Sequence, residues 1–359
     1  MKQNRWLYPL NVQNDFTFNS SIRDFIVEEI PLYEFSGEGE HLILKIRKKD
    51  MTTWEMIDTI SSHLGIKKRE IGYAGLKDKN AMTIQYISLL KIHQDKLENF
   101  SHNKIKILDK FIHSNKIRIG HLKGNRFSIR LKRVFKAQKD KIESTLEWIA
   151  SNGVPNYFGN QRFGNSNENY KDGENILSGK LKIRDKKKRD FLINAYQSYM
   201  FNNWLSKRVE LSLLLNEFKE SEVEDIMKLE RGSLKNSKNQ PQFLRVLEGD
   251  IMMHYPYGRL FEAEDLELEA KRFHERDISI SGLLAGTKAK KSEKIAKIFE
   301  DEFIKEIDFV GGRRYSWIFV DDIDGKYIDD KAHYEISFRL PKGSYATNVL
   351  DVLRGSQES

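Results

Sequence analysis

Alternation of apolar and polar side chains gives this chain strand-rich ends and a helix-rich middle. From His41 to Arg47, Leu42, Leu44 and Ile46 fall on one face and His41, Lys45 and Arg47 on the other, the two-residue period of a strand. Gly124 to Lys132 does the same, with Phe127, Ile129 and Leu131 set against Arg126, Ser128, Arg130 and Lys132. Its polar face is basic, as an RNA-facing sheet or an ordinary half-solvated strand would be. Near the end of the chain Tyr334, Ile336, Phe338 and Leu340 alternate with Glu335, Ser337 and Arg339.

Helical periodicity separates these strands. Thr52 and Glu55 fit a capping box, Ile57, Ile60 and Leu64 form an apolar stripe, and Gly65 fits the stop. A second helix carries Ile142, Leu146 and Ile149 and ends at Gly153 and Pro155. The middle holds a long pattern from Asp190 to Arg208, with Phe191, Ala195, Tyr196, Met200, Phe201, Trp204 and Leu205. A shorter one runs from Ser292 to Glu306, with Ile295, Ile298, Phe299 and Phe303. Aromatics at this spacing read as core. The acidic stretch from Glu262 to Glu269 reads as solvated. This order predicts an α+β chain whose sheet is interrupted by an insertion near Gly153 to Gly311 and completed by the last strands.

Composition narrows the classes. The 359 residues are 39% hydrophobic, enough for two or three domains with a sizeable core. Lys and Arg number 61 against 53 Asp and Glu, a formal charge of +8 that favours polyanionic partners. The lack of cysteine excludes disulfides, thiolate nucleophiles, iron–sulfur clusters and cysteine-ligated zinc. The start of the chain lacks the apolar core of a signal peptide, and no apolar run approaches membrane-spanning length, so a soluble, cytoplasmic protein is expected.

No Walker A loop is present: Gly173 to Lys180 comes nearest, with the wrong glycine spacing and Leu181 in place of Ser or Thr. There is no G-x-G-x-x-G fingerprint, no G-x-S-x-G elbow and no H-E-x-x-H pair among the nine histidines. Neither a cofactor nor a metal is indicated. Basic runs stand at Lys182 to Arg189 and at Lys288, Lys290, Lys291 and Lys294. Either can neutralise phosphates or form a solvated face. Aromatics beside cations, as in Arg126-Phe127 and Arg162-Phe163, suit stacking on unpaired bases.

The segment with the sharpest chemistry is Gly72-Tyr73-Ala74-Gly75-Leu76-Lys77-Asp78-Lys79. It sets one carboxylate between two ammonium groups. Cations favour the charged form of a carboxylate, and a positioned carboxylate can act as a nucleophile or a base. On spacing alone a solvated turn accounts for it.

Six segments in order change that balance. They are Gly37 to His41, Gly72 to Lys79, Gly120 to Phe127, Val154 to Gly164, Ala195 to Tyr199 and Gly343 to Thr347. Through them the chain closely resembles the tRNA pseudouridine synthase D (TruD) family over nearly its whole length. The resemblance implies isomerisation of uridine to pseudouridine in tRNA, at position 13 of the D arm in bacterial members, without a cofactor. It implies a pseudouridine-synthase-like catalytic domain on a mixed, mainly antiparallel sheet, here 1–152 and 311–359, with an inserted helix-rich α/β family-specific domain at 153–310. It makes Asp78 the catalytic carboxylate and Phe25, Asn125 and Phe127 substrate contacts, with Lys77, Lys79, Asn156 and Arg162 as RNA contacts or supports. The partner implied is tRNA, with no membrane and no protein partner. One departure stands out. Members commonly carry a lysine six residues before the position of Phe25, and here that residue is Asn19, so another cation, Arg23, Lys77 or Lys79, would have to support Asp78. A non-catalytic RNA-binding protein on the same scaffold is the main alternative, and a cofactor-free base-modifying or nucleolytic enzyme a third.

Overall fold

The computed structural model describes residues 6–355 apart from 20, 165 and 257. The chain divides into two compact units: Asp15–Ser144 with Val320–Ser344, and the rest of the described chain. The units divide at 14/15, 144/145, 319/320 and 344/345, against expected domain boundaries at 152/153 and 310/311. Residues 6–14 and 345–355 cluster with the unit that does not hold the large sheet.

The first unit is built on an eight-stranded sheet. Its strands are β1 (Phe25–Pro31), β2 (His41–Lys48), β3 (Gly72–Tyr73), β4 (Met82–Leu90), β5 (Ile105–His113) and β6 (Leu122–Lys132), with β13 (Asp321–Ile328) and β14 (His333–Pro341) added after the chain returns. The order is β13-β14-β6-β1-β4-β2-β5, and β3 pairs with β4. β1 and β4 run parallel, and the other pairs of this sheet are antiparallel. α1 (Thr53–Leu64) packs Met56, Ile57, Ile60 and Leu64 against Leu42, Leu44 and Ile46 of β2. Burying one of these side chains contributes roughly 1.5–3 kcal/mol. Both arms of the capping box form, Thr52 N–H to Glu55 Oε2 at 2.6 Å and Glu55 N–H to Thr52 Oγ1 at 3.1 Å, and Gly65 ends the helix at φ 69°. Ile43, between the polar positions of β2, is buried on the opposite face with Ala74, Tyr86, Ile117 and Leu122, so this strand is covered on both sides.

α2 (Lys136–Asn152) buries Ile142, Leu146 and Ile149 and leads into the second unit. There β7 (Val154–Pro155) pairs with β12 (Trp317–Ile318), and β8 (Ile251–His254), β9 (Leu260–Glu262), β10 (Ile278–Leu284) and β11 (Gly312–Tyr315) form a sheet in the order β11-β10-β8-β9. The helices are α3 (Asn169–Leu177), α4 (Lys186–Glu217), α5 (Glu220–Met227), α6 (Leu266–His274), α7 (Lys294–Phe303) and α8 (Ala346–Arg354). The periodic stretch from Asp190 to Arg208 becomes the middle of the 32-residue α4, which is capped by the Asp185 side chain. Trp204 of α4 fills the space that a Cβ on Gly282 of β10 would need. α7 is shorter than its pattern, and Ile298 faces solvent while Ile295 and Phe299 are buried. Glu269, expected to be solvated, is buried beside Arg272.

Candidate active site

Strand order decides which side chains meet. β1 lies between β6 and β4, and its Glu29 sits directly opposite Asn125 of β6. The ammonium of Lys77, from the segment that joins β3 to β4, reaches both: Nζ lies 2.9 Å from Glu29 Oε2 and donates to Asn125 Oδ1 at 2.9 Å. Glu29 and Lys77 are both buried. Burial pushes the Glu29 carboxyl above the usual range, and the Lys77 charge opposes that push. A buried ion pair of this kind gives little net stability but fixes geometry, because removing either partner strands the other. Lys77 therefore orients the Asn125 amide, with its ammonium engaged by Glu29. Of the two lysines flanking Asp78, only Lys79 is exposed and without an ion pair among the described residues.

Asp78 itself is exposed, and its carboxylate has no hydrogen bond or ion pair among the described residues. Its backbone, in contrast, is held. The Lys77 N–H donates to Thr53 Oγ1 at 2.9 Å, and Thr53 Oγ1 donates to Gln85 Oε1 of β4 at 3.2 Å. Lys48 at the end of β2 is completely buried and donates to the carbonyls of Met51 at 2.7 Å, Asp78 at 2.9 Å and, more distantly, Lys77 at 3.4 Å. It forms no ion pair among the described residues. Burial holds its ammonium down to about 8; the Asp78 charge pulls upward and the Lys77 charge adds to the lowering. Sequence reasoning missed Lys48. The signal was present, since Leu42, Leu44 and Ile46 place residue 48 at the next position on the core face. Arg23, one of the cations considered for Asp78, is exposed and makes no ion pair among the described residues.

Phe25 and Phe127 stack with ring centroids 6.1 Å apart and planes 9° apart. Phe127 is buried between Phe25 and Phe338, the latter at 5.5 Å, whereas Phe25 is half-buried. The open surface of this stack belongs to Phe25. Phe127→Ala is expected to cost about 3–5 kcal/mol of stability, the range for emptying an aromatic core position. Urea unfolding measures this, and a loss below about 1 kcal/mol would show that the ring is not a packing element.

The basic face of β6 is paired internally. Arg126 meets Asp322, Arg130 meets Glu335 and Asp24, and Lys132 meets Asp24. Those charges form a cross-strand ladder, which favours the half-solvated strand over the RNA-facing one. In the basic run after residue 287, Lys290 pairs with Glu262, Lys291 with Glu306 and Lys294 with Glu248, while Lys288 is exposed and forms no ion pair among the described residues. In the other run, Lys186, Lys187 and Lys188 open α4, are exposed, and form no ion pair among the described residues. Beside β5 a cavity of about 980 Å³ is lined by Arg47, Lys48, Lys49, Lys104, Lys106 and Lys110 among others.

Asn156 and Arg162 lie in the second unit. Asn156 is buried and its amide is committed internally: Nδ2 donates to the Tyr315 carbonyl at 2.9 Å, and Oδ1 accepts from Arg314 Nη2 at 2.8 Å. The Arg162 guanidinium lies over the Phe158 ring at 5.4 Å. Among the described residues no group of three His, Asp or Glu is placed to hold a metal ion, and no helix is long and apolar enough to cross a membrane.

A family model described as tRNA pseudouridine synthase D (TruD) matches residues 15–184 and 181–352. The chain is 52% identical to a tRNA pseudouridine synthase D of Wolinella succinogenes over 350 residues, 97% of each protein. It is 51% identical to that of Sulfurimonas denitrificans over 337 residues, 94% of each. A crystal structure of a Methanosarcina mazei protein assigned to TruD superposes with a TM-score of 0.73 at 21% identity, covering 98% of this chain and 96% of that one, so the α+β fold with its mixed sheet is shared. The chain belongs to the TruD family of tRNA pseudouridine synthases, isomerases of tRNA modification.

Proposed function

We propose that this protein isomerises uridine to pseudouridine at position 13 in the D arm of tRNA, in the cytoplasm, with Asp78 as the group that acts on the sugar. The observation that carries this reading is an exposed carboxylate without an internal partner, on a segment whose backbone Lys48 and Thr53 hold in place.

The reaction breaks the bond from C1′ to N1, turns the base and joins C1′ to C5. N1 gains a proton and C5 loses one, so the atoms balance without a co-reactant. The target base must leave its stack, which costs a few kcal/mol. The half-buried face of Phe25 offers it a stacking surface, with Phe127 behind. Asn125, oriented by Lys77, offers a polar contact. The Asp78 carboxylate meets the sugar, either as a nucleophile at C1′ or as the base that lets the ribose open. The unit that carries Asp78 is the catalytic domain, and the remainder serves as the family-specific domain.

The test incubates the purified protein with an unmodified tRNA transcript in excess EDTA and maps pseudouridine at nucleotide resolution. Conversion at position 13 is expected. Bound but unmodified RNA would favour the non-catalytic RNA-binding reading, and conversion confined to another uridine would overturn the assignment of the site.

A further inference from the structure

Two of the segments that carry the family resemblance play no part in the chemistry above. They meet around a residue in neither, Arg314 of β11. Its guanidinium lies 4.1 Å from the centre of the Phe158 ring and 5.8 Å from that of Tyr345. Arg162 approaches the same Phe158 ring at 5.4 Å. Two guanidinium groups therefore share one aromatic ring, and neither has a carboxylate partner among the described residues.

Arginines buried elsewhere in this unit have a carboxylate or several acceptors, although Nε of Arg208 and of Arg245 is left without a partner among the described residues. Arg208 grips both oxygens of Asp250 at 2.7 and 2.8 Å. Arg313, next to Arg314 in the strand, meets Glu300 at 2.7 Å. Arg245 lacks a carboxylate but donates to three oxygens, the Gln240 and Gln242 carbonyls and the Asn216 side chain, at 2.5–2.7 Å. Arg314 has Asn156 alone: Nη2 donates to Oδ1 at 2.8 Å, Nε and Nη2 approach the backbone oxygen at 3.4 Å, and Nη1 has no acceptor among the described residues. Burial holds Arg314 below the usual guanidinium range; Tyr345 opposes that and the Arg162 charge adds to it. Arg314 is half-buried, and a partly desolvated charge beside a like charge is costly unless an anion completes the site. Asn156 is fixed by the Tyr315 carbonyl and by Asn348, so the guanidinium is aimed before any ligand arrives.

We propose that Arg162 and Arg314 take one RNA backbone phosphate between them, with the exposed ring of Tyr345 as the stacking surface for the adjoining base. A phosphodiester matches the planar fork of arginine and supplies the missing negative charge. Tyr345 is 42% exposed, so its ring is open to a base. This inference rests on the reading of the protein as an RNA-modifying enzyme and does not depend on Asp78.

The test measures binding of unmodified tRNA transcript to the full-length protein by fluorescence anisotropy across a salt series, for Arg162→Gln, Arg314→Gln and the double variant. Each single change is expected to weaken binding about ten- to a hundredfold, as for loss of a charged hydrogen bond. Each is expected to lower the slope of log K against log salt by about 0.7–0.9, one phosphate. The double variant should lose much less than the product of the two, because both act on the same anion. Arg314→Lys, which keeps the charge, should keep most of the slope. If Arg314→Gln does not fold by circular dichroism, Arg162→Gln decides alone, since its side chain donates no hydrogen bond to a described residue. Wild-type affinity and slope in Arg162→Gln overturn the proposal. That result alongside normal isomerisation would leave the proposed function standing, while weakened binding in a protein that does not isomerise would do the reverse.

Discussion

Asp78→Asn is expected to fold normally and to lose turnover by about 10²–10⁴-fold or more, the range for removing a positioned acid–base group. The substitution is nearly isosteric, and the carboxylate has no internal partner among the described residues, so the fold loses no contact there. The contacts that place the segment run through its backbone: Lys48 to the Asp78 carbonyl and the Lys77 N–H to Thr53. Asparagine preserves both and removes only the charge. Tritium release from tRNA labelled at C5 of uridine measures the chemistry, and the melting temperature controls for folding. Near-normal release from a folded variant would take Asp78 out of the reaction.

Lys48→Met is expected to lower kcat by about 10²-fold, with a smaller change in KM. The side chain is volume-matched, but the Met51 and Asp78 carbonyls lose their donor and the segment its anchor. Misplacing a catalytic group by about 1 Å can cost that factor. Lys48 touches no reacting atom in this scheme, so it is a positioning residue, and its signature lies in pH dependence. The charged groups that influence it are Asp78, Lys77 and Glu55. In the fold it keeps its proton up to pH about 8, whereas in the unfolded chain an ordinary lysine keeps it to about 10.4. Between those values the unfolded state binds more protons, so this group makes stability rise with pH. Activity should move the other way, falling above pH about 8 as the positive charge beneath Asp78 is lost. Lys48→Met should lack both trends. An alkaline limb that persists in the variant, or a wild-type kcat, would show that Lys48 is only a core lysine.

Much of the fold can be read from local pattern. The cap and stop of α1, the stripe of α2 and the alternation of β6 and β14 follow from side-chain spacing, because each depends on residues a few positions apart. The differences arise where distant chain decides burial. α4 exceeds the stretch from Asp190 to Arg208 at both ends: its charged first turn is fixed by the Asp185 cap, and its last turns by burial of Val209, Leu211 and Leu215. Ile298 has the right spacing yet faces water, and Glu269 is buried because Arg272 supplies its counter-charge. The sequence left the basic stripe of β6 open between an RNA-facing and a half-solvated strand because its acidic partners Asp322 and Glu335 stand about two hundred residues away in sequence.

At the site, local sequence marked Asp78 only as a carboxylate between two lysines, which a solvated turn also explains, and the family resemblance made it the candidate catalytic group. The same resemblance named Phe25, Asn125 and Phe127. Only the tertiary structure decided what each neighbouring charge does. Lys77 turns to Glu29 because β1 and β6 pair in a register that sets Glu29 opposite Asn125. Lys48 comes under the Asp78 segment because β2 and the residues before β4 are brought together by the sheet. Arg314 becomes a charge without a counter-ion because β11 places it against Phe158. The physical reason is common to all three: the strength of a charge depends on burial and on partners within a few ångströms, and those are fixed by packing between parts of the chain that no local pattern connects.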